Sequence, residues 1–243
     1  MIRLFRKREE SPAVHPPVSA VVVAAGGSTR MGVPKQMIPL RGIPVIVRTL
    51  QALDRAGLVD EIVLVARQED MLPFYTLCKQ YEVGKVSAIV PGGATRQQSV
   101  AAGVAAARPN AAYYAIHDGA RPLVRPSTVD AVIAAAVEGG AAAAAVPVKD
   151  TIKEADENGF IAGTLDRSRL WNVQTPQVFS AALYRRAMEQ VGIGEENLTD
   201  DCQLVERLGH PVRLCRADYA NIKITTPEDV AFAEAILRER GGE

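Results

Sequence analysis

The sequence feature that most constrains the fold is a regular alternation of short apolar runs with longer helix-like segments, which begins at Val18. The apolar runs are rich in β-branched residues and match strands buried on both faces, and the segments between them have helical periodicity. The predicted fold class is therefore α/β, a Rossmann-like, mostly parallel twisted sheet with helices on both faces. The predicted strands are Val18–Val23, Glu61–Ala66, Val86–Val90, Ala112–Ile116 and Ala142–Val146; the predicted helices are Ile43–Ala56, Glu69–Tyr81, Thr95–Arg108 and Pro126–Glu138.

The alternation stops after Pro147, where residues 148–174 are polar and interrupted. Asn158-Gly159 stands between two short strand-like pieces there, which is a strong signal for a β-hairpin. A hairpin is marginally stable unless it packs against something. We therefore predict a protruding β-arm at about 148–174 that packs on a second subunit and makes the protein a homodimer.

Beyond the arm, the sequence returns to α/β patterning. Thr226-Pro227 has the composition of a helix N-terminus, with a capping residue followed by proline at the first helical position. The predicted elements of this part are helices at Ser180–Gln190 and Thr199–Leu208, a strand at Val212–Arg216 that leads through Ile222–Ile224, and a helix after Thr226.

A glycine-containing loop follows the first predicted strand, in the segment V-V-V-A-A-G-G-S-T-R-M-G-V-P-K-Q from Val21 to Gln36. Backbone N–H groups in such a loop can approach a phosphate chain, and Arg30 and Lys35 can neutralise its charge. The loop is not a Walker A motif, because no Gly-Lys-Ser/Thr ends it, and it lacks the G-x-G-x-x-G spacing of dinucleotide folds. Nucleotidyl transfer needs little beyond positioning and charge stabilisation, which suits these two cations.

Two further loops are expected beside the first, because ligands of open α/β sheets bind beyond the carboxyl ends of the strands. The loop at residues 117–121 carries Asp118, which is well placed to bind Mg²⁺ at a triphosphate; the alternative is a turn or N-cap aspartate. The loop at residues 91–96, with Ser99 in the next turn, can approach a nucleobase or can be an ordinary helix N-terminus. His117 fits a packing role better than that of a base.

Composition excludes several classes of function. Lys and Arg number 28 and so do Asp and Glu, and this zero formal charge argues against non-specific nucleic-acid binding. No apolar run reaches the ~18 residues of a membrane span, so no segment is expected to cross a membrane. The three cysteines, Cys78, Cys202 and Cys215, form no metal or redox motif and indicate reduced thiols in a cytoplasmic protein. Residues 1–17 are expected to be a disordered extension, with a membrane-surface or partner-binding segment as the alternative, and residues 18–240 a single domain.

A set of motifs, taken together, resembles one family. The motifs are A-A-G-G-S-T-R-M-G-V-P-K-Q, P-G-G-A-T-R-Q-Q-S-V, H-D-G-A-R-P, V-K-D-T-I-K, W-N-V-Q-T-P-Q, L-T-D-D and N-I-K-I-T-T-P-E-D. The chain resembles the 2-C-methyl-D-erythritol 4-phosphate cytidylyltransferases of the non-mevalonate isoprenoid pathway over about residues 18–237. The resemblance implies a fold of the nucleotide-diphospho-sugar transferase type. It also implies transfer of CMP from CTP to the sugar-alcohol phosphate, with release of pyrophosphate.

The resemblance also implies roles for individual residues. The implied catalytic residues are Arg30 and Lys35 at the α-phosphate, and Arg167 and Lys223 at the sugar phosphate. The residues implied to bind the acceptor substrate are Thr151, Arg167, Thr175, Thr199 and Lys223, with the arm reaching across a dimer. The residues implied to bind the nucleotide are Ala24, Ala25, Gly26, Gly93, Ser99 and Asp118. Asp118 is also the implied ligand of Mg²⁺, in whose place other divalent ions could act.

Three alternatives stay open at this point. A cytidylyltransferase for a pentitol phosphate, such as ribitol 5-phosphate, would share the nucleotide loops and differ in the acceptor pocket. A catalytically silent nucleotide-binding domain would be expected to lose charged residues at the reaction centre, whereas this chain keeps them. Asp218 and Asn221 are both candidates for a second Mg²⁺ ligand. The chain is further expected to be monofunctional, because the segment after the last helix is too short for a second enzyme.

Overall fold

The computed structural model describes residues 1–3, 15–26, 34–192 and 198–241 of the chain. Within these residues, eight strands form one sheet in the order β1-β6-β5-β2-β7-β11-β8-β12. These strands are β1 (Ile2–Arg3), β2 (Val18–Val23), β5 (Glu61–Ala66), β6 (Val86–Pro91), β7 (Tyr113–Asp118), β8 (Ala141–Pro147), β11 (Trp171–Ser180) and β12 (Arg213–Arg216). Two small hairpins pair β3 (Pro39–Leu40) with β4 (Ile43–Pro44) and β9 (Lys153–Ala155) with β10 (Ile161–Thr164).

Seven α-helices connect or flank these strands in the described residues. They are α1 (Val45–Arg55), α2 (Met71–Gln80), α3 (Arg96–Ala106), α4 (Pro126–Gly139), α5 (Ala181–Val191), α6 (Cys202–Glu206) and α7 (Pro227–Glu239). None of the helices in the described part of the chain is long and apolar enough to cross a membrane.

The sheet has helices on both faces, as predicted. Strand β2 alternates between the two layers, with Ala20 and Val22 in the core beneath α1, α2 and α4 and Val21 in the core beneath α3, α5 and α6. Both of its faces are buried because each contacts a helical layer, which explains why the strand is apolar at nearly every position. Helix α7 packs through Ala233 and Leu237 in a third apolar cluster with Leu40.

The five predicted strands of the N-terminal part are confirmed within two residues of their predicted ends. Strands β6, β5, β2 and β7 are parallel to one another, and β12 is parallel to β8. The sheet is mixed because β11 runs antiparallel between β7 and β8. The sequence pattern does not predict β11, because polar residues and Pro176 are not typical of a central strand. The register with β8 shifts between Val173 and Gln177, which accommodates that interruption.

The arm is shorter than predicted. Strands β9 and β10 form the expected hairpin, in which Gly159 adopts the positive φ of 84° that the turn requires. The return strand β11, however, already pairs with β8 at Trp171. The arm therefore spans residues 148–170, and Gln174 and Thr175 belong to the central sheet instead of the arm.

Three other boundaries also differ from the prediction. Helix α1 begins at Val45 instead of Ile43, because Ile43–Pro44 pairs with β3 across a turn in which Arg41 and Gly42 both have positive φ. Helix α6 begins at Cys202 instead of Thr199 and is five residues long. The residues before it are held by Gln203, whose N–H donates to the Asp200 carboxylate and whose side chain donates to the Thr199 hydroxyl. Residues Ile222–Ile224 form no strand; the Ile224 N–H donates to the Ala120 carbonyl instead.

The N-terminal segment differs from the expectation of a disordered extension where the structure describes it. Strand β1 pairs antiparallel with the edge strand β6, with Ile2 opposite Ile89. The Pro17 carbonyl accepts the N–H groups of Ala112 and Tyr113. Residues 4–14 lie outside the described residues.

Candidate active site

A cavity of about 220 Å³ lies where the loops after β2, β6 and β7 meet. This is the edge of the sheet at which the carboxyl ends of its parallel strands converge. Seven of the residues singled out from the sequence line this cavity: Ala25, Gly26, Lys35, Gly93, Ser99, Asp118 and Lys223. Ala24 lies directly before them and is buried, and its carbonyl accepts an N–H of the buried Gln36 side chain at 3.1 Å.

The wall formed by residues 91–96 approaches the loop after β2 closely. A Cβ atom on Gly92 would lie 2.4 Å from the Cβ of Ala25, so only glycine fits this position. The Ser99 hydroxyl accepts the Gly93 N–H at 3.1 Å and donates to the Thr95 carbonyl at 2.9 Å. Ser99 therefore shapes the glycine loop while it also lines the cavity. The capping box of Thr95 and Gln98 starts α3 at this point.

Asp118 is the electrostatic centre of the cavity. It occupies the last position of β7, in register with Val23 of β2, and is 7% exposed. Its carboxylate lies 3.0 Å from the Lys223 ammonium, 3.5 Å from Nε of Arg121 and 3.7 Å from Nε of Arg96. Burial alone would raise the pKa of Asp118, but the charges of Lys223, Arg96 and Arg121 outweigh it and hold the pKa well below its usual range.

Among the residues that the structure describes, cations outnumber carboxylates around Asp118. Lys35, Arg96 and Lys223 all line the cavity, and Arg121 contacts Asp118 from a nearly buried position. A surplus of positive charge in a partly closed cavity favours a ligand with several negative charges. Of these cations, Arg96 and Arg121 were not singled out from the sequence as site residues, although both stand in the motifs P-G-G-A-T-R and H-D-G-A-R-P.

Arg96 also contacts a second buried carboxylate. Its Nη1 atom lies 2.6 Å from Oδ2 of Asp201, a residue that is 1% exposed. Asp201 accepts the Tyr184 hydroxyl at 2.6 Å, and its N–H donates to the side chain of Gln177 in β11. Burial lowers the pKa of Arg96, but the Asp201 and Asp118 carboxylates raise it by more, so Arg96 is charged. Only the fold brings these side chains together, and no sequence motif joins them.

Thr175 lies behind the cavity, not in it. Its side chain is 3% exposed, and its Oγ1 atom accepts the Asp118 N–H at 3.0 Å. The structure therefore gives Thr175 a supporting contact with Asp118, where the sequence resemblance implied a contact with substrate. The Thr175 carbonyl and the Gln174 side chain both accept the Asn221 amide, at 3.0 and 2.8 Å.

The two candidates for a second metal ligand are engaged elsewhere. Asp218 has its carboxylate against Arg125 and Arg240, at 3.3 Å from each. Asn221 is 1% exposed and donates to β11 as described. Neither residue lines the cavity, which leaves Asp118 as the carboxylate that does so among the described residues.

The arm residues Arg167 and Thr151 are exposed and are not part of the cavity within one chain. Arg167 donates to the Lys149 carbonyl at 2.7 Å, at the base of the arm. The Lys149 ammonium lies 3.6 Å from the centre of the Tyr219 ring, and the Tyr219 hydroxyl donates to the Pro147 carbonyl. These contacts tie the base of the arm to the segment that carries Lys223.

The remaining residues singled out from the sequence fall in three classes. Thr199 is exposed, does not line the cavity and exchanges hydrogen bonds with Gln203. Arg30 lies outside the described residues. His117 is completely buried, and burial lowers its pKa to about 4, so it is uncharged at neutral pH. This agrees with the packing role expected for it.

Comparison with known proteins adds an independent line of evidence. Residues 18–239 match the family model described as IspD, 2-C-methyl-D-erythritol 4-phosphate cytidylyltransferase. The protein of that name from Pelotomaculum thermopropionicum is 45% identical over 228 residues, which covers 93% of this chain and 96% of that protein. The one from Geobacillus thermodenitrificans is 48% identical over 223 residues, with 91% and 97% coverage.

Solved structures of similar proteins share the fold. The crystal structure of 4-diphosphocytidyl-2C-methyl-D-erythritol synthase from Anaerococcus prevotii matches with a TM-score of 0.82 at 33% identity, covering 91% of this chain and 96% of that chain. The Thermus thermophilus cytidylyltransferase matches with a TM-score of 0.73 at 33% identity, covering 91% and 99%.

Proposed function

The chain belongs to the 2-C-methyl-D-erythritol 4-phosphate cytidylyltransferase family, and we infer from this membership and from the cavity that it is a CTP-dependent nucleotidyltransferase of isoprenoid precursor biosynthesis. It transfers CMP from CTP to 2-C-methyl-D-erythritol 4-phosphate and releases pyrophosphate. The structural observation that supports this function is a single cavity. Seven residues predicted from the sequence line it, and cations outnumber carboxylates among its described lining residues.

The chemistry needs no general base. The nucleophile is an oxygen of a phosphate monoester, which is mostly dianionic at neutral pH because its second pKa is ~6. This oxygen forms a bond to the α-phosphorus of CTP, and the bond from that phosphorus to the bridging oxygen of the β-phosphate breaks. Pyrophosphate leaves with the electron pair. The barrier is mainly the repulsion between two anions, so fixed positive charge is the main catalytic device.

We assign the charged side chains to three tasks. Lys35, at the start of the short helical turn Lys35–Met37, stabilises charge on the α-phosphate, together with Arg30. Lys223 holds the acceptor phosphate, and its position against Asp118 fixes where its ammonium group lies. Arg96 and Arg121 keep Asp118 ionised and in place. The glycine loop, shaped by Ser99, faces the cytidine.

Mg²⁺ is the proposed cofactor, with Asp118 as its protein ligand. Mg²⁺ is commonly bound by one or two carboxylates plus substrate phosphates, and a single cavity carboxylate fits that donor set. The described residues contain no group of three or more His, Cys, Asp or Glu side chains that could hold a metal ion by themselves. When bound, the ion would neutralise charge on the phosphates.

We propose that the active form is a homodimer whose arms exchange between subunits. Arg167 and Thr151 are exposed and lie outside the cavity of their own chain, so a second copy would bring them to a cavity. Phe160 and Ile161 on the arm are 71% and 68% exposed, and apolar side chains so exposed favour a protein contact. The cytoplasm is the proposed location, consistent with Cys78, Cys202 and Cys215, none of which is in a disulfide.

The function is tested by following pyrophosphate release with CTP and Mg²⁺. The enzyme is given methylerythritol phosphate and ribitol 5-phosphate in separate reactions, with a Lys35→Ala variant as the inactive control. We expect turnover with the first acceptor only, and loss of that turnover in the variant. Turnover with ribitol 5-phosphate alone would overturn the acceptor assignment but keep the nucleotide chemistry.

A further inference from the structure

Hydrogen bonds between the two ends of the arm hold its base together. The Val148 N–H donates to the Leu170 carbonyl at 3.0 Å, and Nη1 of Arg167 donates to the Lys149 carbonyl at 2.7 Å. Beyond this base, strands β9 and β10 are exposed at every residue except Gly163, and a two-stranded hairpin alone is marginally stable. The direction of the arm therefore depends on what holds its base.

Tyr219 contacts the chain at the point where the arm begins. Its hydroxyl donates to the Pro147 carbonyl at 2.8 Å, and the Lys149 ammonium lies 3.6 Å from the centre of its ring, within the range of a cation–π contact. We name Pro147, Lys149 and Tyr219 the arm clasp. We propose that Tyr219 is a positioning residue for the acceptor substrate, which acts through the arm clasp on Arg167. This role rests on the proposed function, in which Arg167 binds the acceptor phosphate from a crossed arm.

Lys149 links Tyr219 to Arg167. The side chain of Lys149 contacts the Tyr219 ring, and its carbonyl accepts the Arg167 guanidinium. A carbonyl turns with its own backbone, so the contacts that hold Pro147 and Lys149 also fix the direction in which Arg167 is bound. A lysine side chain has high rotamer freedom, and the ring restricts it. Tyr219 therefore limits the conformations of the residue to which Arg167 is bound.

The segment that carries Tyr219 is attached to the central sheet. The Ala217 N–H donates to the Ala145 carbonyl of β8 at 2.8 Å, and the Asp218 carbonyl accepts the Gln174 side chain of β11 at 3.3 Å. Strands β8 and β11 are neighbours in the sheet. The Tyr219 ring is therefore a fixed reference point for the base of the arm.

A role in the apolar core does not account for these contacts. Tyr219 is 38% exposed, and Lys149 is exposed as well. A ring so exposed buries little apolar area, so its removal costs little of the free energy of unfolding. The two contacts are directional and both lie at the base of the arm. Substitutions in the arm clasp should therefore change acceptor binding more than stability.

Kinetics of arm-clasp variants test the proposal. Tyr219→Leu removes both contacts, Tyr219→Phe keeps the ring beside Lys149, and Lys149→Met keeps the length of the side chain without its charge. Lys79→Met is the matched control, because Lys79 lies 5.8 Å from the centre of the Tyr75 ring on α2. For each full-length enzyme we would measure KM for methylerythritol phosphate, KM for CTP and the midpoint of urea unfolding.

We expect Lys149→Met to raise KM for methylerythritol phosphate about two- to fivefold, the factor that corresponds to an exposed cation–π contact, and Tyr219→Leu to raise it at least as much. KM for CTP and the urea midpoint should keep their wild-type values. Tyr219→Phe should recover most of the loss, and Lys79→Met should have no effect. An unchanged KM for the acceptor, an equal rise in KM for CTP, or a lowered urea midpoint that Tyr219→Phe shares would each overturn the proposal.

Mixed dimers show on which arm Tyr219 acts. In a dimer of a Lys35→Ala chain with an Arg167→Ala chain, the intact site combines the arm of the first chain with the cavity of the second. Tyr219→Leu is added to one chain or to the other. On the Lys35→Ala chain it should raise KM for the acceptor, and on the Arg167→Ala chain it should not. The reverse pattern would mean that Tyr219 acts on Lys223 in its own cavity, and any pattern but the expected one would overturn the proposal.

Hydrogen–deuterium exchange without substrate separates the arm clasp from the proposed function. Peptides that cover residues 148–152 and 165–170 report on the base of the arm, and peptides of α2 are the internal control. In Tyr219→Leu, exchange at the base should be about two- to fivefold faster than in wild type, with α2 unchanged. Inactive mixtures with faster exchange at the base would refute the crossing of arms alone. Unchanged exchange at the base would overturn the arm clasp itself.

Discussion

The Nζ atom of Lys223 lies 3.0 Å from the Oδ2 atom of Asp118. This contact joins the end of β7 to the irregular segment before α7, and both residues line the cavity at the carboxyl ends of the parallel strands. Lys223 is therefore in direct contact with the carboxylate proposed to bind Mg²⁺.

Replacing Lys223 by alanine should mainly weaken use of the acceptor. The ammonium is assigned to the acceptor phosphate, and loss of one such stabilising contact costs ~3–4 kcal/mol, or about 10²–10³-fold in rate. We expect kcat/KM for methylerythritol phosphate to fall by about that factor, with CTP affinity within about threefold of wild type by calorimetry. Lys79→Ala, which removes a lysine that lies over Tyr75 on α2, is the matched control. An equal loss of CTP affinity would contradict the assignment.

Replacing Asp118 by asparagine should destabilise the protein in a pH-dependent way. The pKa of Asp118 is depressed in the folded state, so its ionisation stabilises the fold above its unfolded value of ~3.9. That contribution is lost as the pH falls from about 4 through the depressed value. At pH 7, the variant leaves Lys223, Arg96 and Arg121 without their shared carboxylate, and we expect a loss of about 3–5 kcal/mol.

Urea unfolding of wild type and Asp118→Asn at pH 7 and at pH 3 measures this difference. The difference in the free energy of unfolding between wild type and Asp118→Asn should be smaller at pH 3, because part of the stabilisation from the ionised wild-type carboxylate is lost there. Glu138→Gln, which removes an exposed charge paired with Arg213, should change the free energy of unfolding by less than about 1 kcal/mol at either pH. A gap that stays constant between the two pH values would show that the ionisation of Asp118 is not what stabilises the fold.

Replacing Thr175 by valine tests whether this residue supports Asp118 or binds substrate. The variant keeps the shape but removes the acceptor of the buried Asp118 N–H, which should cost about 1–3 kcal/mol of stability. Thr175→Ser keeps the hydroxyl and should retain most of that stability. We expect the free energy of unfolding to fall in the valine variant but not in the serine variant. Unchanged stability in both variants, with a raised KM for the acceptor, would favour a direct substrate contact.

Mixing two inactive variants tests the exchange of arms. Arg167→Ala damages the arm, and Lys35→Ala damages the cavity. If arms cross, a mixed dimer has one site with both residues intact and one with neither. Co-refolding equal amounts should then restore about a quarter of wild-type activity, because about half of the dimers are mixed and each has one intact site. Each variant refolded alone is the control. No recovery in the mixture would mean that each arm serves its own chain.

The strands and helices of the core could be predicted from the sequence, because each is marked by residues within its own segment. Strand β2 is apolar along its length since both faces are covered, and Pro126 and Thr226 mark helix starts by their own backbone chemistry. The positions of Lys35, Gly93 and Asp118 at one edge follow from the parallel order of the strands. In contrast, β11 carries Pro176 and polar residues, and it is a strand because β7 and β8 flank it on both sides.

The sequence by itself therefore determined the α/β class, the sheet edge that holds the proposed active site and the family to which the chain belongs. Only the tertiary structure decided that Asp118 contacts three cations, that Arg96 links it to Asp201, and that Thr175 supports it from behind. The physical reason is the range of the interactions. Periodicity and capping act between residues a few positions apart, whereas ion pairs and buried hydrogen bonds join side chains that are neighbours only after the sheet has formed.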